Sequence, residues 1–99
     1  MRSQTSSISF SDRVRIPDDV LISTLQDESV FLNLDSEQYF GLDNVGTRMF
    51  FVLTNSDSIE AAYESLAQEY DVDREVLRAD LIVLVDKLLQ QGLVIIEHE

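Results

Sequence analysis

From residue 28 onward, apolar and polar side chains alternate. Val30, Leu32 and Leu34 fall on one side and Phe31 and Asn33 on the other, the period of a half-buried strand. On this pattern Val30, Leu32 and Leu34 are expected to hold the core. Asp35-Ser36-Glu37 is turn chemistry, and Gln38-Tyr39-Phe40-Gly41-Leu42 reads as a second short strand. Asp43 or Asn44 can cap a helix beginning at Val45. A hairpin therefore feeds directly into a helix, and the rest of the chain is expected to pack around it.

Upstream, Arg13-Val14-Arg15-Ile16 alternates and can pair briefly with a sheet edge. Pro17 ends it, because proline cannot donate to a ladder. Residues 20–25 (VLISTL) are β-rich, and Gln26-Asp27-Glu28 turns the chain into the next strand. Strands over 20–25, 29–34 and 38–42 make an antiparallel meander.

After Val45 the period becomes helical. Val45, Met49, Val52 and Leu53 recur on one side, Phe50 and Phe51 add bulk at the flanks, and Thr54-Asn55-Ser56 stops the helix. Asp57-Ser58-Ile59-Glu60 carries a D-x-x-E capping pattern for a second helix, lined by Ile59, Ala62, Tyr63, Leu66, Ala67 and Tyr70. Asp73 is the expected N-cap of a third and longest helix, with Glu75 near its positive end. That helix runs to Gln91, where Gly92 is placed to cap it. Leu77, Leu81, Leu84 and Leu88 share one narrow face, and Ile82, Val85 and Leu89 widen it well round one side. So wide an arc calls for a neighbouring element or a bound partner. Leu93-Val94-Ile95-Ile96 is a last strand or extended segment over the core.

The composition fits one domain. Ninety-nine residues, 44% of them hydrophobic, with three Gly and one Pro, support a single modest core. Residues 1–12, Ser-rich and polar, read as a flexible tail ahead of a domain over 13–99. There is no apolar run of a signal peptide and none of the roughly 20 residues needed to span a bilayer. A soluble cytoplasmic protein is the default, with no membrane partner.

Charge narrows the partners. Nineteen acidic residues against seven basic ones give a net charge of −12. That balance repels phosphate backbones and anionic membranes and favours Lys- or Arg-bearing partners. A small sheet with three helices can be a winged helix-turn-helix. The third helix, however, sets only Arg74, Arg78 and Lys87 against Asp73, Glu75, Asp80 and Asp86, so nucleic acid is excluded as its partner.

Catalytic chemistry is equally sparse. No cysteine is present, which removes disulfides, thiolate nucleophiles and thiolate metal sites. The single histidine, His98, is penultimate, so no serine in the body has a usual base and no metal site is built. The glycines are scattered and cradle no phosphate. No catalytic residue, cofactor or metal is expected. What remains is protein or peptide recognition. A small sheet has edges, and an edge beside a helix groove accepts an added strand. Gln38, Tyr39, Phe40, Gly41 and Leu42 form the candidate edge, with Gly41 allowing close backbone approach.

These residues also carry a family resemblance. Val30-Phe31-Leu32-Asn33-Leu34-Asp35, Tyr39-Phe40-Gly41-Leu42-Asp43, Val45-Gly46 and Met49-Phe50 follow one another as in the PqqD-like family. Glu69-Tyr70-Asp71-Val72, Asp80, Leu84, Leu88 and Gly92-Leu93 continue the likeness, which covers residues 20–96. Phe50 stands where the family often has tryptophan. The resemblance implies an α+β fold, winged helix-turn-helix-like, with a three-stranded antiparallel sheet followed by three helices. It implies a RiPP recognition element, a non-catalytic chaperone binding the leader segment of a ribosomally made precursor peptide by strand addition. The leader would then pass to a leader protease, as for lasso peptides, or to a radical-SAM maturation enzyme, as for pyrroloquinoline quinone. On this chain the leader would lie along Gln38, Tyr39, Phe40, Gly41 and Leu42 and face Leu81, Ile82 and Val85, the protein acting as a monomer or weak homodimer. The competing reading is a winged-helix interaction or regulatory module with no peptide substrate.

Overall fold

A computed structural model describes residues 8–98. In chain order the elements are β1 (Arg13–Arg15), β2 (Val20–Leu25), β3 (Glu28–Asn33), β4 (Gln38–Leu42), α1 (Asn44–Thr54), α2 (Ile59–Glu69), α3 (Arg74–Gln90) and β5 (Ile95–Glu97). The meander is present: β2, β3 and β4 form an antiparallel sheet in sequence order, and three helices follow it. β1 does not join that sheet. It pairs with β5, Val14 opposite Ile96, so the two ends of the domain close on each other.

The sheet faces the opposite way from the sequence expectation. Phe31 is fully buried, with Ser29 and Asn33 beside it, whereas Val30 is 50% and Leu34 48% exposed. Strict alternation guarantees that one set is inside but not which one. Here the helices decide. Phe31 meets Phe50 of α1 edge-on, 4.8 Å between centroids at 89°, and Phe40 of β4 at 6.5 Å. The ring buries more surface than a Val or Leu, and the two polar neighbours go inside without penalty because each is bonded. The Ser29 and Thr47 hydroxyls lie 2.6 Å apart; Asn33 is bonded at both ends of its amide. Phe50, read as a flank residue, is therefore a core centre.

The helix boundaries follow local chemistry. Asp43 caps α1 through Gly46 N–H. The cap of α2 is Ser58, accepting from Ala61 N–H at 3.1 Å, so the Asp57–Glu60 pattern is not the box in use. Asp73 caps α3 as expected. Gly92, at φ +70°, ends α3: its N–H donates to Leu89 and that of Leu93 to Leu88, a Schellman closure. Leu53, Ile59, Leu66, Leu81, Leu88 and Leu93 complete the buried centre.

Residues 8–12 belong to this body, while 1–7 lie outside the described residues. Phe10 packs edge-on against Tyr63 at 5.9 Å, under the Arg78 guanidinium at 4.0 Å. The carbonyls of Asp12 and Phe10 accept from Ile59 and Glu60 N–H at 2.8 Å each, satisfying orphan donors in the first turn of α2. The buried Asp12 carboxylate accepts from Ser9 N–H at 2.9 Å and meets His98 Nδ1 at 2.8 Å. The Ser9 bond above all, helped by His98, holds Asp12 below its ordinary value of 3.8 although burial pushes the other way.

Two outcomes are expected in denaturant unfolding. Phe31→Ala should cost about 3–5 kcal/mol, against within about 0.5 kcal/mol for Val30→Thr on the open face. Asp12→Asn should cost about 1–2 kcal/mol near neutrality. Because the folded-state pKa is lowered, Asp12's contribution is complete above 3.8 and disappears as pH falls through the lower folded value. The gap between Asp12→Asn and wild type should therefore close in acid.

Candidate functional site

The hydrogen-bond phase of the sheet shows which groups β4 leaves unused. β2 and β3 are joined by a two-residue loop, Gln26 and Asp27, both at positive φ (54° and 70°). Such a primed turn closes on a hydrogen-bonded pair, here Leu25 and Glu28. Alternation then sends the backbone groups of Val30 and Leu32 toward β2 and those of Ser29, Phe31 and Asn33 toward β4. Leu34 N–H donating to Asp19 at 2.8 Å, beyond the end of β2, has the same phase. Opposite them, Gln38, Phe40 and Leu42 are bonded inward. The N–H and C=O of Tyr39 and Gly41 are left pointing out of the sheet.

A groove lies along this edge. Phe40, Gly41 and Leu42 form one wall, Asp80, Val83 and Lys87 of α3 the other, and buried Met49 and Leu84 the floor; the cavity is about 390 Å³. Phe40 and Leu42 share the inner face with Phe31 and Ser29, while Tyr39, 67% exposed, and Gly41 share the outer face with Leu32 and Val30. A Cβ at Gly41 would meet nothing nearer than Ser29 O at 3.9 Å, so what the position offers the edge is its N–H rather than spare room.

The two walls are tied together at one corner. Asn33 Nδ2 donates to Gln91 O at 3.0 Å, and its Oδ1 accepts from Asp35 and Ser36 N–H at 2.9 and 3.2 Å. One side chain thus shapes the β3–β4 turn and pins the C-terminal end of α3 to it. Gly92 must be small here, because a Cβ would lie 2.8 Å from Asn33 Nδ2 at a left-handed φ.

The expected site residues divide. Gln38 through Leu42 form the open edge strand. On α3 the expected trio does not face it: Leu81 and Val85 are fully buried and point into the core. Ile82 is 38% exposed but lies about 100° round the helix from Leu81, and Asp80 lies about 100° the other way. The groove is lined instead by Asp80, Val83, Leu84 and Lys87. Apolar periodicity finds the buried stripe of a helix; residues beside a groove flank that stripe, and Asp80, Val83 and Lys87, three and four apart on one exposed edge of it, were the available signal.

Elsewhere the chemistry is self-satisfied. A second concavity, by the β2–β3 turn and α1, is lined by Thr24, Asp27, Thr47, Phe51 and Tyr70. Its Arg48 and Glu69 bond each other through three contacts of 2.8–3.2 Å. Arg48 accordingly holds Glu69 below the usual carboxylate range. No group of three or more His, Cys, Asp or Glu among the described residues could hold a metal, and no helix among them is long and apolar enough to cross a membrane. The outer sheet face is open and apolar, with a hollow lined by Leu21, Val30, Leu32 and Tyr39.

Gly92→Ala should lower stability by about 1–2 kcal/mol from the left-handed backbone alone, and more if Asn33 is displaced. Changes in amide shifts should then reach Gln38 and Lys87 as the corner loosens; shifts confined to the two neighbours of Gly92 would show that the corner does not set the groove.

No match is found among curated proteins. Two solved structures are similar. TbiB1 in complex with the TbiA(beta) leader peptide is 34% identical over 81% of this chain and 93% of that one, with a TM-score of 0.75. A lasso peptide synthetase B1 complexed with its leader peptide, 22% identical over 84% and 98%, shares the fold with a TM-score of 0.75. The family model described as coenzyme PQQ synthesis protein D (PqqD) matches residues 28–94, from the start of β3 to the approach to β5. The chain belongs to the PqqD family.

Proposed function

We propose that this protein is a RiPP recognition element, a non-catalytic chaperone that takes up the leader segment of a precursor peptide as a fourth strand on β4. The observation that carries the reading is the edge itself. Tyr39 and Gly41 turn two N–H and two C=O groups outward beside an apolar-floored groove. Main-chain bonds to these groups would supply register, and the Met49–Leu84 floor would supply the hydrophobic anchorage that dominates affinity. Near the other edge of the sheet, β2, the concavity beside Thr24 contains the mutually bonded Arg48 and Glu69. The similar TbiB1 structure contains a leader peptide, which supports the same class of ligand here.

Hand-over to a second protein is supported by the outer face. Exposed Leu21, Val30 and Tyr39 gather round half-buried Leu32 in one apolar hollow, the kind of surface a partner covers. Alternate side chains of an added strand would emerge on that same face. The partner would be the enzyme acting on the leader-bound precursor, a leader protease in a lasso-peptide pathway or a radical-SAM enzyme in quinone-cofactor synthesis.

Titration with a candidate leader peptide should move amide signals of residues 38–42 together with those of Val83 and Lys87. Gly41→Pro should abolish binding, since its ring removes an outward N–H without touching a β3–β4 bond. Gly41→Ala should bind within about twofold of wild type, the effect of a neutral surface change. Binding of the leader with the signals of 38–42 unmoved would place its site elsewhere.

A further inference from the structure

The opposite margin of the sheet, β2, is open as well. The phase that sends Val30 and Leu32 toward β2 bonds them to Ser23 and Leu21, so the N–H and C=O of Val20, Ile22 and Thr24 point out of the sheet. No other strand pairs with β2. Val20 N–H turns back to Pro17 O at 3.3 Å, but among the described residues no backbone bond outside the ladder uses Ile22 or Thr24. Edge strands are ordinarily blunted by a charge, a proline or a bulge. β2 has none of them. Residues 20–25 read VLISTL, the register with β3 runs unbroken from Val20–Asn33 to Leu25–Glu28, and Leu21, Ser23, Thr24 and Leu25 are exposed. No Lys or Arg occurs anywhere from Ile16 to Thr47.

We propose that β2 pairs with β2 of a second copy of this chain, antiparallel about a two-fold axis at Ile22, joining two sheets into one of six strands. Such a contact is isologous and closes at two copies, whereas β2 on a neighbour's β4 would continue into a filament and would have to pass α3. With Ile22 on the axis, the two Ile22 side chains meet each other and each Val20 meets a Thr24, β-branched pairs on the inner side of the sheet. The Ile22 residues exchange two N–H to C=O bonds, and each Thr24 N–H donates to a Val20 C=O. Four bonds thus form with the Val20 N–H left on Pro17. Charge fixes the register. In this alignment Asp19 lies opposite Leu25 and Asp18 opposite Gln26. An axis at Ser23 would set Asp19 against Asp27 and Asp18 against Glu28, like charges directly opposed. An axis at Leu21 would leave only Val20 to Ile22 overlapping. Both chains carry −12, so the pair forms against a repulsion that salt screens. The contact is far narrower than a stable interface, which puts its dissociation constant on the order of 0.1–1 mM. The two β4 strands stand at opposite ends of the joint sheet, each with its groove free.

The test is a dilution series of the full chain alone, from about 10 µM to about 2 mM, a range that brackets this constant. Sedimentation equilibrium should show the average mass rising toward two copies. The amide signals of Ile22 and Thr24 should move with concentration and those of Tyr39 and Gly41 should not. Raising salt from about 20 mM to about 0.5 M shortens screening from about 20 Å to about 4 Å and should tighten association severalfold, the opposite of an ion-paired contact. Thr24→Pro removes two of the four bonds and should weaken association about tenfold, while the β2–β3 ladder keeps every donor because Thr24 N–H points outward. Ser23→Asp, an exposed change that touches no backbone donor, should weaken it severalfold at low salt and less at high salt. A chain that stays monomeric at about 2 mM in high salt overturns the proposal. So does association that weakens as salt rises, or wild-type association in both variants. Movement of Tyr39 and Gly41 in place of Ile22 and Thr24 would assign self-association to β4 and overturn it too. No peptide is present in these samples, so the reading of the β4 groove stands or falls separately.

Discussion

The contact between Phe31 and Phe50 decides the architecture. It joins the centre of β3 to the centre of α1, and through it the sheet acquires an inside. Once Phe31 is committed, its pairing partner Phe40 must face the helices, and Tyr39 and Gly41 must face away. The strand order leaves β4 at the margin, and α3 crosses beside it without covering it. Packing of one aromatic pair thus propagates to the placement of every group on the edge.

An unpaired edge is ordinarily a hazard, since it invites pairing with any extended chain. Here it is kept to five residues and set beside a helix that limits what can approach. On the strand-addition reading, the same helix makes the edge selective. A strand entering must fit its side chains between Leu42, Val83 and the Met49–Leu84 floor, so backbone bonding and side-chain fit are demanded together. Asn33 keeps the two walls in register, because one amide bonds the hairpin turn and the last carbonyls of α3 at once.

The ends of the chain serve the same frame. β1 pairs with β5, Arg15 bonds Glu97 at 2.6 Å, and Asp12 joins Ser9, His98 and the start of α2. The Arg15–Glu97 pair is exposed and contributes little. The buried Asp12 contacts matter more, because they satisfy helix-end donors and hold Phe10 over the α2–α3 seam.

Much of this was legible without coordinates. Alternation at residues 28–34 and 38–42 specified two strands, Asp73 and Gly92 marked the ends of the longest helix, and the ordered motifs specified the family. The edge strand could be named because it is the last before the helices. Three things needed the fold. Alternation is symmetric, so it could not say that Phe31 rather than Val30 is inside; only the helix that supplies Phe50 breaks that symmetry. Helical periodicity locates the buried stripe of α3, so it pointed to Leu81 and Val85, while the groove is lined by Asp80, Val83 and Lys87 on the stripe's border. And Asp12, read as part of a loose tail, is buried by partners forty-seven and eighty-six residues away, Ile59 at the start of α2 and His98, contacts that no local pattern encodes. Local periodicity determines what an element is; which neighbour it meets, and therefore which of its sides is a site, depends on long-range packing.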